Sequence, residues 1–353
     1  MDTTTRKEPL RPLGVIDCLM TGFDIVSRRL WLIALPVLLD LFLWLGPRLS
    51  AAPLLKGLVA FLRTQPVPDS TTASQLAEAT RLLEQVGEHV NLLALLSRLP
   101  LLNVPSLLAW RMPASPLGKP QEILITGPLP LAGWGILLIP IGLVLGFLYL
   151  NSLARHIRGR RSSDEQKPAQ DETREPEQAI VEKGSTWRCI RVLLFATGLL
   201  VTGMMITPPW LLLVGIAEAL TPGLGFWLLI FSIGLAGYLG LHLLFVIPGV
   251  MVGGRGLWQA TWESIGLIHT QLFSVMGLIL LTAVIYGGLS YVWLLPPTDS
   301  WSLLVGVVGN GCIATGLTAA AFVFYQERIG QLMEMFQAAA KSGVQDGKER
   351  ANG

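Results

Sequence analysis

Five stretches of this chain, 129–150, 192–215, 226–250, 271–295 and 302–325, each run for more than twenty residues without one Asp, Glu, Lys or Arg. A helix in a soluble domain needs only one apolar stripe. A bilayer core needs about 20 apolar residues all round the helix. A sixth run, 29–46, is shorter and carries Arg29, Pro36 and Asp40. Lipid offers backbone groups no partners, so the runs must be helices or a closed barrel. The period-two alternation of a barrel is absent. Composition agrees: 52% of residues are hydrophobic and 14% charged, against about 25% charged in soluble domains. The expected fold is an all-α polytopic bundle of about six spans, with Pro208 and Pro209 kinking or breaking the third.

Basic residues set the expected orientation. Arg28 and Arg29 precede the first span; Arg155, Arg158, Arg160 and Arg161 follow the second; Arg188 and Arg191 precede the third. Arg255 separates the fourth from the fifth, and Arg328 follows the sixth. The loops at 216–225 and 296–301 have no Lys or Arg. Six spans in the cell membrane with both termini cytoplasmic satisfy all of these. Residues 1–28 carry Arg6, Lys7, Asp17 and Asp24 and do not read as a cleavable signal.

Outside the spans, 151–191 is polar and charged with both signs, and is expected to be a disordered cytoplasmic linker. Residues 47–128 form a long outer loop. Within it Leu76, Ala79, Leu83, Val86, Val90 and Leu93 recur at helical spacing, with a capping box at Thr72 and Gln75 and a stop at Pro100. The apolar segment that follows, through Trp110, is expected as a cap over the spans, a layer in the outer interface, or a docking surface. Residues 326–353 continue as a cytoplasmic amphipathic tail that frays from 342.

The sequence also echoes itself. "GVIDCLMTGFDIVSRRLWL" (14–32) and "GLWQATWESIGLIHTQLFS" (256–274) each open with Gly and lead through an amphipathic segment into a span, with "GSTWRCIRVLLF" (184–195) as a fainter third copy. The second copy makes 256–270 an interfacial helix, and the pair suggests a parallel repeat. An amphipathic lead-in followed by a last span ending "AAAFVFYQERIG" resembles six-span bacterial membrane proteins similar to the membrane domain attached to some glycerophosphodiester phosphodiesterases. The resemblance covers mainly 184–330. It implies architecture and no activity, because that membrane domain has no catalytic motif to carry over.

Polar side chains inside apolar runs are the functional candidates. Asp40 lies about 9 Å from the outer end of the first span at 1.5 Å per residue. Asn310 lies at similar depth in the sixth, so the two could bond if those spans pack together. His242 lies nearer the cytoplasmic end of the fourth, beside Gly234, Gly237 and Gly240, a stripe that would admit a close neighbour. Asp40 is expected to join helices or to reach outward to the headgroup region, with a cation or proton site as the transport alternative, and His242 to bond across helices. The glycines of 303–317 imply tight packing, within the bundle or at a dimer face. Cys18, Cys189 and Cys312 show no metal or redox spacing. His89, with Glu84, Glu88 and Asn91 nearby, reads as a solvated helix face. No catalytic, cofactor or metal motif emerges. The net charge of +2 points to no nucleic-acid partner. The partner is the lipid bilayer, with a membrane-protein partner or a second copy left open. The reading is a non-catalytic accessory or membrane-organising bundle, with a small-molecule or lipid transporter or lipid-handling protein as the alternative.

Overall fold

The computed structural model describes residues 14–64, 70–109, 111, 113–165 and 175–352. The helices are α1 (Val15–Ser27), α2 (Ala34–Leu45), α3 (Ala52–Arg63), α4 (Ser70–His89), α5 (Pro128–Glu165), α6 (Glu175–Leu220), α7 (Leu224–Leu243), α8 (Val246–Met251), α9 (Leu257–Trp293) and α10 (Leu303–Asn352). Two three-residue strands, β1 (Arg48–Ser50) and β2 (Glu122–Leu124), pair in parallel. Five stretches are long and apolar enough to cross a membrane: Pro128–Gly159, Cys189–Leu220, Leu224–Met251, Leu257–Trp293 and Leu303–Leu332. The chain is an all-α, multi-pass membrane bundle.

The first expected span differs. Leu30–Leu45 falls short of span length. The chain breaks at Arg29 (φ −143°, ψ 68°) and passes through a 3-10 turn, Leu30–Ile33. Only 12 residues remain for α2, about 18 Å of helix. Even so, α1 and α2 together track the apolar part of α10, from Leu303 to Ala320. Gly22 rests on the backbone of Gly316 and Ala320, Val37 meets Gly311, and Trp44 clusters with Leu303 and Val307. The glycines of α10 are filled from within the bundle: Gly306 and Gly309 by Trp293, Gly311 by Val37, Gly316 by Phe23. Of the two roles expected for them, bundle cohesion is the one seen.

The echo in sequence has a structural counterpart. Gly14 and Gly256 are both N-caps with extended backbone (φ −64°, ψ 167° and φ −67°, ψ 154°). Fifteen residues on, Arg29 and Gln271 (φ −125°, ψ 28°) both leave helical geometry. Each copy is therefore a capped helix, a break and an apolar helix. The third copy does not separate, because Gly184 lies inside the continuous α6. Nor do the prolines break that helix: Pro208 and Pro209 sit within it, and just beyond them Trp210 Nε1–H donates to Ser232 Oγ of α7 (2.7 Å).

Other expectations shift as well. The segment expected to be a disordered linker is helical on both flanks, to Glu165 in α5 and from Glu175 in α6. Residues 166–174 lie outside the described residues. A helix already nucleated by a span extends at little cost per residue, and Ala, Arg and Glu favour it. The same applies to the tail, where α10 runs on to Asn352 instead of fraying from 342. In the long loop, α4 starts by Ser70, so Thr72 lies inside it, and it stops at His89, well before Pro100. Asn91 ends it: its Oδ1 accepts from Leu49 N–H and Leu93 N–H, both at 3.1 Å. Glu84 pairs with Arg63 of α3 (2.9 Å), while the side chains of Glu88 and His89 fall outside the described set.

Arg28 and Arg29 come together with Arg155 and Arg158, since Trp31 meets the His156 ring at 5.1 Å. Arg255 binds Glu263 (3.3 Å), which accepts from Tyr325 O–H (2.9 Å), close to Arg328. Cys18 is fully buried. Burial, then the nearby Glu327 carboxylate, pushes its thiol up to about 11, with Arg328 opposing. At pH 8 only about one thiol in a thousand would be thiolate, the reactive form. Native protein exposed to maleimide at pH 8 should label Cys18 at least about a hundredfold more slowly than after denaturation. Site-resolved mass spectrometry reads the ratio, and rapid native labelling would mean that α1 leaves α10.

Candidate functional site

The apolar segment Asn91–Ala109 is part of the core. Leu93, Ala94, Leu96, Ser97, Leu99, Leu102, Val104, Leu107, Leu108 and Ala109 are all buried. Two glycines of α5 admit it. A methyl at Gly142 would lie 2.7 Å from Leu99 and 3.0 Å from the Leu95 carbonyl, and one at Gly146 would overlap the Leu102 carbonyl. Gly142 and Gly146 lie about 21 and 27 Å along α5 at 1.5 Å per residue. The segment therefore re-enters the bundle to mid-depth, deeper than a cap or an interfacial layer. Irregular backbone is tolerated at such depth only when protein surrounds it. It turns at Leu101, which takes a left-handed conformation (φ 66°) at a cost of about 1 kcal/mol, and Val104 N–H closes back on the Ser97 carbonyl (3.2 Å).

Asp40 holds the far side of this segment. It is 1% exposed. Its carboxylate accepts from Ser106 Oγ–H, Leu107 N–H (2.9 Å) and Leu108 N–H (3.2 Å). Ser106 Oγ in turn accepts from Ala109 N–H (3.1 Å). A buried turn of "SLLA" needs acceptors for its N–H groups, and one carboxylate on α2 provides them. Asp40 thus joins a helix to a re-entrant loop, which sequence spacing could not show.

Asn310 is also 1% exposed, but it does not bond to Asp40. Although α2 and α10 pack together, the carboxylate faces 106–108. Asn310 instead lies beside Tyr286 of α9, whose O–H points at the Ser106 carbonyl (3.4 Å), and its Nδ2 has no hydrogen-bond partner. The expected interhelical bond of His242 is likewise absent. Its Nδ1 meets the Tyr238 carbonyl one turn back in the same helix (2.8 Å), and its buried Nε2 has no partner. The interhelical bond there uses the backbone: Ser264 O–H of α9 donates to the His242 carbonyl (2.6 Å). The His269 ring lies 5.5 Å from that of His242. The stripe of Gly234, Gly237 and Gly240 faces open space.

Between the re-entrant segment and α5, α7, α8, α9 and α10 lies a cleft of about 790 Å³. Its floor is buried and apolar, including Leu150, Ile247, Leu278, Leu317 and Phe322. Its rim is exposed: Pro100, Asn103, Gly240, Leu244 and Ala283. The rim residues of α7 and α9 lie near exposed Ile233, Leu239, Leu280 and Val284, so the mouth opens beside apolar surface on the flank of the bundle. Its polar lining includes Arg98, Asn103, Ser106 and Tyr286, with Thr282 and Thr318 among the apolar residues. Arg98 and Tyr286 escaped sequence reasoning because one sits in a loop and the other in an apolar run with a common interfacial residue type. Among the described residues no group of His, Cys, Asp and Glu could hold a metal ion. Compared with protein-family models, curated proteins and solved structures, the chain matches none.

Proposed function

We propose that the chain is a non-catalytic, lipid-handling protein of the cell membrane, with six crossings and both termini in the cytoplasm. The observation that carries this reading is the laterally open cleft, whose volume falls in the range of ligand sites, about 300–1,000 Å³. Its mouth faces the bilayer rather than either aqueous side, so the molecule with access to it is a lipid. The antiparallel course of α1 and α2 along α10 supports a sixth crossing through Leu30–Leu45, and the clustered arginines support a cytoplasmic basic end. Among the two readings left by the sequence, the cleft favours lipid handling over a purely organising bundle.

Ala283→Trp tests this. Ala283 is an exposed rim residue, so an indole there narrows the mouth without entering the core. Lipid retained by gently purified protein, counted by native mass spectrometry, should fall about tenfold, equivalent to about 1.4 kcal/mol, with an unchanged melting temperature. Undiminished lipid retention would sink the reading.

A further inference from the structure

We propose that the cleft takes up one acyl chain of a bilayer phospholipid and distinguishes lipids by that chain, with the head group left outside; this rests on the lipid-handling reading above. Depth is the first argument. On α9, Leu278 lies seven residues from the break at Gln271, and Tyr286 seven from Trp293, about 10 Å from each end at 1.5 Å per residue. On α10, Ala314 and Phe322 lie about 16 and 15 Å from the two ends of the apolar stretch Leu303–Leu332. The cleft therefore sits midway along its helices, at hydrocarbon depth, where a charged head group is costly.

The lining agrees, because most of its polar side chains are already engaged within the chain. Ser97 O–H donates to the Ala94 carbonyl (3.0 Å) and Thr318 O–H to the Ala314 carbonyl (2.8 Å). Ser106 O–H donates to Asp40, Tyr286 O–H points at the Ser106 carbonyl (3.4 Å), and Arg98 has its own interaction inside the protein. A head group entering here would lose its water and find few partners. The buried floor, with Ile247, Leu278, Leu317 and Phe322, offers apolar surface that a hydrocarbon chain fills. The rim residues Gly240, Leu244 and Ala283 are exposed and belong to two of the membrane-length stretches. The groove thus continues the lipid-facing surface, and a chain enters it without crossing water.

Volume sets the number of chains. A methylene occupies about 30 Å³, close to a water molecule's share of the liquid. A chain of about sixteen carbons needs about 480 Å³ and a pair of them about 960 Å³. A cleft of about 790 Å³ admits the one and excludes the pair, so the second chain of a diacyl lipid stays in the bilayer.

The experiment uses the full-length protein in lipid nanodiscs and three photoactivatable probes: phosphatidylglycerol, phosphatidylcholine and single-chain lysophosphatidylcholine. Each carries a diazirine at about the tenth carbon of one chain, about 12 Å below the head group at about 1.2 Å per bond, level with the cleft. After irradiation, peptide mass spectrometry should find label on buried Ile247, Leu317 and Phe322, with the three probes within about twofold of one another. Exposed Ile233 takes label from the surrounding lipid and normalises the yields. Ala283→Trp should lower labelling of the floor about tenfold and leave Ile233 as it was. Floor labelling by one head group alone, or by the diacyl probes but not the lysolipid, overturns the inference while the lipid cleft stands. A floor that no probe labels, or whose labelling Ala283→Trp does not move, takes the lipid-handling reading down with it.

Discussion

Asp40→Leu should destabilise the bundle by about 4 kcal/mol, since two buried backbone N–H groups and one hydroxyl would lose their acceptor at about 1–3 kcal/mol each. Relief from burying a carboxylate offsets part of that sum. Asp40→Asn should cost about half as much, because the amide keeps one acceptor oxygen and turns an NH₂ toward a donor. The order of melting temperatures, wild type above Asn above Leu, is the result to look for in protein held in lipid nanodiscs. The loss should also reach the cleft. Ser106 and Ala109 line it, and both hang on the carboxylate directly or through one hydroxyl. Lipid retention should therefore fall in the Leu variant even below its melting temperature. A Leu variant as stable as wild type would show that the carboxylate does not hold the re-entrant segment, and an activity that needs a carboxylate at this depth would then become the better explanation of Asp40.

What the sequence disclosed, and what it hid, divides along a physical line. The long apolar runs were legible because lipid imposes one length and one backbone solution. The repeated Gly-led amphipathic lead-in was legible because a helix start leaves local residue signals at Gly14 and Gly256, whereas the breaks at Arg29 and Gln271 were not. The re-entrant course of 91–109 was not, because its cause is distributed: Gly142 and Gly146 on α5 make room, Asp40 on α2 supplies the acceptor, and Asn91 turns the chain inward by binding β1. No short window contains more than one of these. The same distance in sequence separates Arg98 from Tyr286 and from the floor of the cleft, so the site could not be assembled from motifs. Asp40, His242 and Asn310 stood out as polar residues in apolar runs. Only Asp40 turns out to fix the architecture around the cleft, while Asn310 lies behind Tyr286 and His242 bonds within its own helix.

Glycines give the sharpest contrast, and the largest predicted effect. The stripe of Gly234, Gly237 and Gly240 has the spacing of a helix-packing surface, yet all three face open space. Gly22 carries no such pattern and sits at the closest helix contact in α1: a Cβ there would lie 2.6 Å from the Ala320 nitrogen and the Gly316 carbonyl. Both are backbone atoms of a helix interior, so they cannot swing aside as a side-chain tip would. Gly22→Leu must drive α1 from α10, exposing Cys18, Leu19, Ile25 and Val26, all buried. At about 1.5–3 kcal/mol for each large apolar side chain, that is comparable to the total stability of many domains. The variant is expected not to accumulate as folded protein, and any that does should expose Cys18 to rapid maleimide labelling. Gly234→Leu should do the reverse, gaining up to about 1 kcal/mol from helix propensity and leaving the melting temperature unchanged or higher. A folded Gly22→Leu would refute the close α1–α10 contact. A Gly234→Leu protein that lost a native assembly while keeping its fold would identify the open stripe as the seat of a second copy or partner, a role that a single chain does not display.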